Sequence, residues 1–328
     1  MTAQTAEHDP ADDHLWTEDR TWGSPHSWRT AGLDADWLDA TADDPCFFWL
    51  GSHRPAWAWH DVDKVGRPRP TGPLFISATE LRRRKSPFPR ASVPVAIDSG
   101  GFTEVTQRGG WTISPADYVA LVRRAIEQLG TVAWAAIQDW MCEDVALAAT
   151  GLTVADHQRL TIESYLELTA LAPEVRWLPV LQGRTVGDYL EHIDAYARAG
   201  VDLRAHQLVG LGSVCRRQAT DEIREIVGEL AGRGIRLHGF GVKALGLAAV
   251  ADLLRSADSL AWSYQGRRMS ACEGKLDSTG RNLGNSPEQA EAWRRRMQAI
   301  IDKGAIAILD GAGHPAQLML PLDIEGDQ

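Results

Sequence analysis

The chain has 328 residues, 44% of them apolar, and a formal net charge of −10, a composition that fits a globular protein with a large core and excludes disordered and fibrous classes. No apolar run approaches the roughly 20 residues that cross a bilayer, and the N-terminus is polar and acidic rather than basic then apolar, so the chain reads as cytoplasmic with no membrane partner. Its four cysteines (Cys46, Cys142, Cys215, Cys272) stand far apart with no C-x-x-C pair and no neighbouring histidine at metal spacing, so neither disulfides nor structural zinc is expected; no metal ligands and no cofactor are assigned.

Residues 1–44 are rich in Asp, Ala, Thr and Trp without sustained periodicity and are read as an extended lead-in, with 45–328 forming one domain. From Cys46 onward, short apolar runs of strand type recur at Cys46–Leu50, Leu74–Ser77, Val93–Asp98, Val132–Asp139, Arg176–Gln182, Ala205–Gly210, Ile235–Gly241 and Ala257–Trp262. Helical patterns separate the later runs at Ser114–Leu129, Thr153–Leu171, Val186–Ala199, Thr220–Arg233 and Ala244–Arg255, several opening on Ser, Thr or Pro signals. Strands alternating with helices imply parallel pairing through right-handed crossovers, and eight such units fit a (β/α)8 TIM barrel better than an open sheet. The first strands lack clear helices between them, so a hairpin-like or inserted start is expected. A further apolar element at Ala305–Leu309 and a tail punctuated by Pro and Gly finish the chain.

In such a barrel the active site lies where the strands end. The closing residues are Asp98 with Ser99-Gly100-Gly101, Asp139 after Gln138, Gln182 with Gly183, Gly210-Leu211-Gly212-Ser213, Gly241, and Asp258 with Ser259. Any one of them alone is explained as a helix cap or a turn former. Their joint occurrence in successive units points to a site. Two carboxylates on one concave surface suit cleavage of a glycosidic bond through a covalent sugar intermediate. A third carboxylate with an amide suits a guanine-like edge, because Asp accepts from adjacent N–H groups while Gln donates to a carbonyl oxygen. His238, one residue before the Gly239–Gly241 strand end, is kept as a minor supporting candidate.

These residues resemble the tRNA-guanine transglycosylase superfamily, most closely the DpdA-like branch that inserts 7-deazaguanine bases into DNA. The matching pieces are Asp98-Ser-Gly-Gly-Phe102, Gln138-Asp139, Leu181-Gln182-Gly183, Val209-Gly-Leu-Gly-Ser213, Phe240-Gly241 and Ala257-Asp-Ser-Leu-Ala-Trp262, in the family's order over roughly residues 46–268. The resemblance implies that Asp258 is the nucleophile and Asp98 the general acid and base. It also implies that Asp139 and Gln182 read the base edge, that Ser99, Gly100, Gly210, Gly212, Ser213 and Gly241 complete the pocket, and that Phe102 stacks on a ring. Relatives acting on tRNA carry three close cysteines and a histidine after the nucleophile; Ser263–Ser286 has Cys272 alone and no histidine, so no zinc-binding subdomain is expected and DNA is favoured over tRNA.

The partners implied are DNA, a 7-deazapurine base such as preQ0, and companion proteins of a DNA-modification system. Arg216-Arg217 and Arg267-Arg268 follow strand ends and are expected to hold phosphates. Other basic runs stand at Arg82–Lys85 with Arg90 and at Arg294–Arg296. Tryptophans 57, 59 and 111, in predicted loops, are candidates to fill the place of a base turned out of a duplex. Two other readings stay open: the same exchange on tRNA or on a nucleoside, and a non-catalytic base-binding or partner-recruiting protein on the same barrel.

Overall fold

A computed structural model describes residues 46–63, 66–214, 221–264 and 286–303. The lead-in at 1–44, the element at Ala305–Leu309 and the four arginines Arg216, Arg217, Arg267 and Arg268 lie outside the described residues. Nine parallel strands form one sheet: β1 (Phe47–Ser52), β2 (Leu74–Ser77), β3 (Val95–Asp98), β4 (Val132–Ala136), β5 (Trp177–Leu178), β6 (Val180–Leu181), β7 (Val209–Leu211), β8 (Leu237–Gly239) and β9 (Ser256–Ser259). Their order is β5-β4-β3-β2-β1-β9-β8-β7-β6.

The two ends of that order are neighbours in the chain, parted by Pro179 alone. Proline has no N–H to give a ladder, so one stave of the barrel is split there. Its first half pairs with β4, Ala135 opposite Trp177, and its second half with β7, Leu181 opposite Leu211. The Pro179 carbonyl still accepts the Gly210 N–H at 2.8 Å. The nine strands are therefore the eight staves of the expected α/β barrel, and the run Arg176–Gln182 is two strands rather than one. Of the two starts expected, hairpin-like or inserted, the structure has the inserted one: β1 pairs with β2 in parallel, Leu50 opposite Leu74. The connection between them carries a 3-10 turn at Pro55–Ala58 and an isolated bridge between Val62 and Pro68.

The described helices are α1 (Ala78–Arg83), α2 (Gly101–Arg108), α3 (Pro115–Leu129), α4 (Asp144–Thr150), α5 (Val154–Leu171), α6 (Val186–Arg198), α7 (Asp221–Gly232), α8 (Ala244–Val250) and α9 (Pro287–Lys303). The longer ones start where capping predicts. Ser114 accepts from the Asp117 N–H ahead of Pro115, and Thr153 with Asp156 and Thr185 with Asp188 close reciprocal capping boxes. Helices α1, α2 and α4 escape sequence periodicity because six to eight residues complete only about two turns.

Strand alternation sorts the side chains into two cores. Outward residues such as Ile76, Ile97 and Ala257 join the layer beneath the helices. Inward residues fill the barrel: Trp49, Phe75, Ala96, Trp134, Ala136, Leu178 and Leu208, with Phe240 against them. Trp134 is central, its ring centre 5.6 Å from Trp49 and 5.3 Å from Phe75. Period two then carries Ser77, Asp98 and Asp258 inward at the next level up, above Phe75, Ala96 and Ser256. Trp134→Ala, at 1% exposure, is expected to cost about 3–5 kcal/mol of unfolding free energy through the cavity it leaves, read by urea denaturation.

Candidate active site

Asp98 ends β3 on the inward side. Its carboxylate accepts hydrogen bonds from the Gly100 N–H and the Ser77 hydroxyl, and Ser77 stands directly opposite it in the β2–β3 register. Gly100 bends the chain into α2 with φ of +83°, and a Cβ there would meet Thr79 Oγ1 at 2.7 Å. Only glycine serves both needs. Burial pushes the Asp98 carboxyl up to about 6 against those two hydrogen bonds, and the negative charge of Asp258 adds to the rise.

Asp258 is the penultimate residue of β9, and one of its oxygens, Oδ1, accepts the Gly241 N–H at 2.9 Å. Gly241 takes φ of +62° after β8, which turns its N–H across to the neighbouring strand end. The same Oδ1 lies 3.4 Å from His238 Nε2. Asp98 and Asp258 thus face one opening within electrostatic reach of each other.

Asp139 sits beyond β4 in a chain of side chains, each defined by the next. The Ser99 hydroxyl donates to Oδ1 at 3.3 Å and Gln182 Nε2 donates to Oδ2 at 2.5 Å. Ser213 in turn donates to Gln182 Oε1 at 2.6 Å and accepts the Cys142 N–H at 2.7 Å. These contacts settle which end of the Gln182 amide is oxygen. Burial pushes Asp139 up to about 7, helped by the charge on Asp98 and opposed by its hydrogen bonds to Gln182 and Ser99.

The Gln182 main chain is fixed from outside the barrel. Gln158 Nε2 donates to its carbonyl at 2.8 Å, and His192 Nδ1 lies 3.0 Å from the Gln182 backbone nitrogen and 3.1 Å from the carbonyl oxygen. Burial pushes His192 down to about 4, against its hydrogen bonds to the backbone. Gly212 leaves the room that the Gln182 amide occupies: a Cβ there would lie 2.2 Å from Nε2. Its carbonyl accepts the Tyr189 hydroxyl at 2.7 Å. Ser213 holds the one positive φ among described non-glycine residues, +60°, a conformation that such surroundings must enforce.

The structure therefore gathers Asp98, Ser99, Gly100, Asp139, Gln182, Gly212, Ser213, Gly241 and Asp258 at one end of the barrel. Gly210 belongs to the floor, where a Cβ would meet the Phe240 ring at 2.5 Å. Phe102, on the first turn of α2, is 43% exposed. Of the three loop tryptophans, Trp57 is buried against Trp262, Trp59 packs on Phe88, and Trp111 lies half-buried over Gly101. Arg84, Lys85 and Arg90 lie on the connection into the start of β3, the barrel end opposite the site. Arg294 and Arg295 pair with Glu291 on α9. Sequence reasoning missed Ser77, although it closes a strand run just as Asp98 does. It also missed His192, Gln158 and Tyr189, whose helical positions look like ordinary packing.

Among the described residues, no group of three or more potential ligands is placed to hold a metal, and no helix is long and apolar enough to cross a membrane. A family model described as DpdA, DeoxyPurine in DNA protein A, matches residues 45–314. The chain belongs to the DpdA family. DpdA proteins form the tRNA-guanine transglycosylase-like branch devoted to 7-deazaguanine modification of DNA, and guanine exchange in DNA is the activity this membership supports. No curated protein matches the chain in sequence. Among solved structures, it is similar to a protein of Coccidioides immitis assigned as a fructose-1,6-biphosphate aldolase (10% identity, 82% of this chain and 92% of the other, TM-score 0.45). It is also similar to the YdjI aldolase of Escherichia coli K12 (13% identity, 85% and 98%, TM-score 0.37). Likenesses of this size carry no argument, and the fold rests on the chain's own topology.

A carboxyl whose folded pKa is raised keeps its proton where the unfolded chain has lost it, so stability falls as pH rises from about 4 through the raised value. Asp139, raised to about 7, should therefore weaken the fold at neutral and alkaline pH. Asp139→Asn can still accept from Gln182 and donate to Ser99. It is expected to melt above the wild type at pH 8, with the gap narrowing at pH 5, in thermal scans at both values.

Proposed function

We propose that this DpdA-family protein replaces guanine in DNA with a 7-deazaguanine derivative through a covalent glycosyl ester on Asp258. The observation that carries the reading is the pairing of Asp258 with a second inward carboxyl, Asp98, raised to about 6, beside a fixed Asp139–Gln182 edge.

In the first half-reaction a free oxygen of Asp258 attacks C1′ of the guanine nucleotide. The C1′–oxygen bond forms as the C1′–N9 bond breaks, and the bonding pair leaves on the purine. Asp98 gives its proton to that purine, which departs neutral. A carboxyl raised toward neutral pH is matched to both giving and taking a proton there. In the second half, Asp98 takes the N9 proton of the incoming 7-deazapurine, N9 attacks C1′, and the ester pair returns to Asp258. Two inversions restore the original configuration.

In its carboxylate form Asp139 accepts from the ring N–H and amino group of guanine. Gln182 offers N–H toward the carbonyl oxygen, and Phe102, exposed at the mouth, supplies a stacking face. Arg216, Arg217, Arg267 and Arg268 are assigned to the phosphates. A base within a duplex must be turned out of the stack to reach C1′, at a cost of about a few kcal/mol. PreQ0 is the 7-deazapurine proposed, delivered with the help of companion proteins, and the cytoplasm is the proposed setting.

The test is incubation of DNA and of tRNA with labelled guanine or preQ0, followed by mass analysis of the released nucleosides. DNA is expected to gain the modified nucleoside; label in tRNA alone defeats the proposal. Asp258→Ala and Asp98→Ala should each abolish exchange, and a denatured wild-type reaction should retain a DNA adduct that Asp258→Ala lacks. Asp139→Ala should chiefly raise KM for the base, by about tenfold to a hundredfold, the range for a lost charged hydrogen bond.

A further inference from the structure

His238 is fully buried on β8 and points into the barrel. Its Nδ1 lies 2.8 Å from Ser256 Oγ, and its Nε2 lies 3.4 Å from Asp258 Oδ1. The ring therefore spans two successive inward positions of β9. Phe75, Trp134 and Phe240 stand edge-on to it, with centres 5.8, 4.9 and 4.8 Å away, which fixes its plane. Its Nε2 is buried without a hydrogen-bond partner, as that of His192 also is, but the group that His238 Nε2 faces is the carboxylate assigned to attack the sugar. Catalytic hydrogen bonds are often long before substrate arrives.

We propose that His238 is a positioning residue for Asp258, an inference that rests on the glycosyl-ester reading above. In this arrangement the ring carries its proton on Nε2, directed at Oδ1, and Nδ1 accepts from the Ser256 hydroxyl. Gly241 N–H holds the same oxygen at 2.9 Å. When the His238 contact tightens on substrate binding, Oδ1 is tied from two sides and Oδ2 is the atom presented to C1′. Attack forms the Oδ2–C1′ bond while the C1′–N9 pair leaves on the base, and Oδ1 becomes the ester carbonyl oxygen. Two donors on that oxygen draw charge from the ester and ease departure of the carboxylate when the second base attacks. The imidazole keeps its proton throughout.

The variants are His238→Phe, which fills the space without a donor, His238→Gln, which offers an amide N–H, and Ser256→Ala, which frees the ring to move its proton to Nδ1. Single-turnover formation and decay of the denaturation-resistant adduct are followed on guanine-containing DNA with preQ0 as the incoming base, alongside melting temperature and KM. His238→Phe is expected to slow both steps about a hundredfold and Ser256→Ala about tenfold, the range for one charged hydrogen bond. KM should stay within about threefold, and His238→Gln should recover at least about tenfold of the loss. Rates within threefold of wild type in His238→Gln and Ser256→Ala, with no greater loss in any folded His238→Phe, overturn the proposal. So does a loss that tracks melting temperature across the set without rescue by Gln. A wild-type enzyme that forms no adduct removes the covalent mechanism itself, a result distinguishable from normal adduct formation in the variants.

Discussion

Everything at the mouth of this barrel depends on the exclusion of water from beneath it. Trp49, Phe75, Trp134 and Phe240 fill the interior, Trp49 edge to face with Trp134 and Phe75 stacked on Phe240, leaving an apolar floor directly under the ends of β3, β4 and β9. A carboxylate set on such a floor loses much of its hydration, and neighbouring carboxylates then feel one another strongly. The raised proton affinities of Asp98 and Asp139 are consequences of that floor as much as of the acids themselves. A smaller or wetter interior would return both groups toward ordinary acidity.

The polar groups above the floor are held by a division of labour between the two faces of the sheet. Inside, Ser99, Ser213 and Gly241 touch the carboxylates and the amide directly. Outside, the neutral ring of His192 and the amide of Gln158 grip the backbone on which Gln182 rides. Gln182 has little freedom to rotate, because Gly212 has vacated only the volume its amide needs. Recognition of a planar base edge requires this rigidity, since an amide free to flip would offer a donor or an acceptor to the same atom.

Much of this was legible in the chain. Alternating strands and helices indicated the barrel, and Asp98, Asp139, Gln182 and Asp258, singled out at the strand ends, stand together at one end of it. Legibility failed where the cause was not local. Pro179 splits a stave, yet the apolar run around it reads as continuous, because the break lies in hydrogen bonding rather than in hydrophobicity. Short α1, α2 and α4 offer too few turns for a periodic signal. Ser77 reveals its purpose only through its register opposite Asp98, and His238 only through the ring-to-carboxylate distance across two strands. Pairing of this kind is a property of the closed sheet and has no trace in spacing.

The electrostatic link between Asp258 and Asp98 has a temporal side. The negative charge of Asp258 adds to the proton affinity that burial gives Asp98. On the proposed mechanism that charge vanishes as the ester forms, and the reason for retaining the proton weakens at the same instant that the departing purine requires one. When the ester breaks in the second half, the charge returns and Asp98 again prefers to hold the proton it has just taken from the incoming base. The two acids would then keep time with each other through the field alone, the bond on one setting the proton on the other, with no moving part in the barrel.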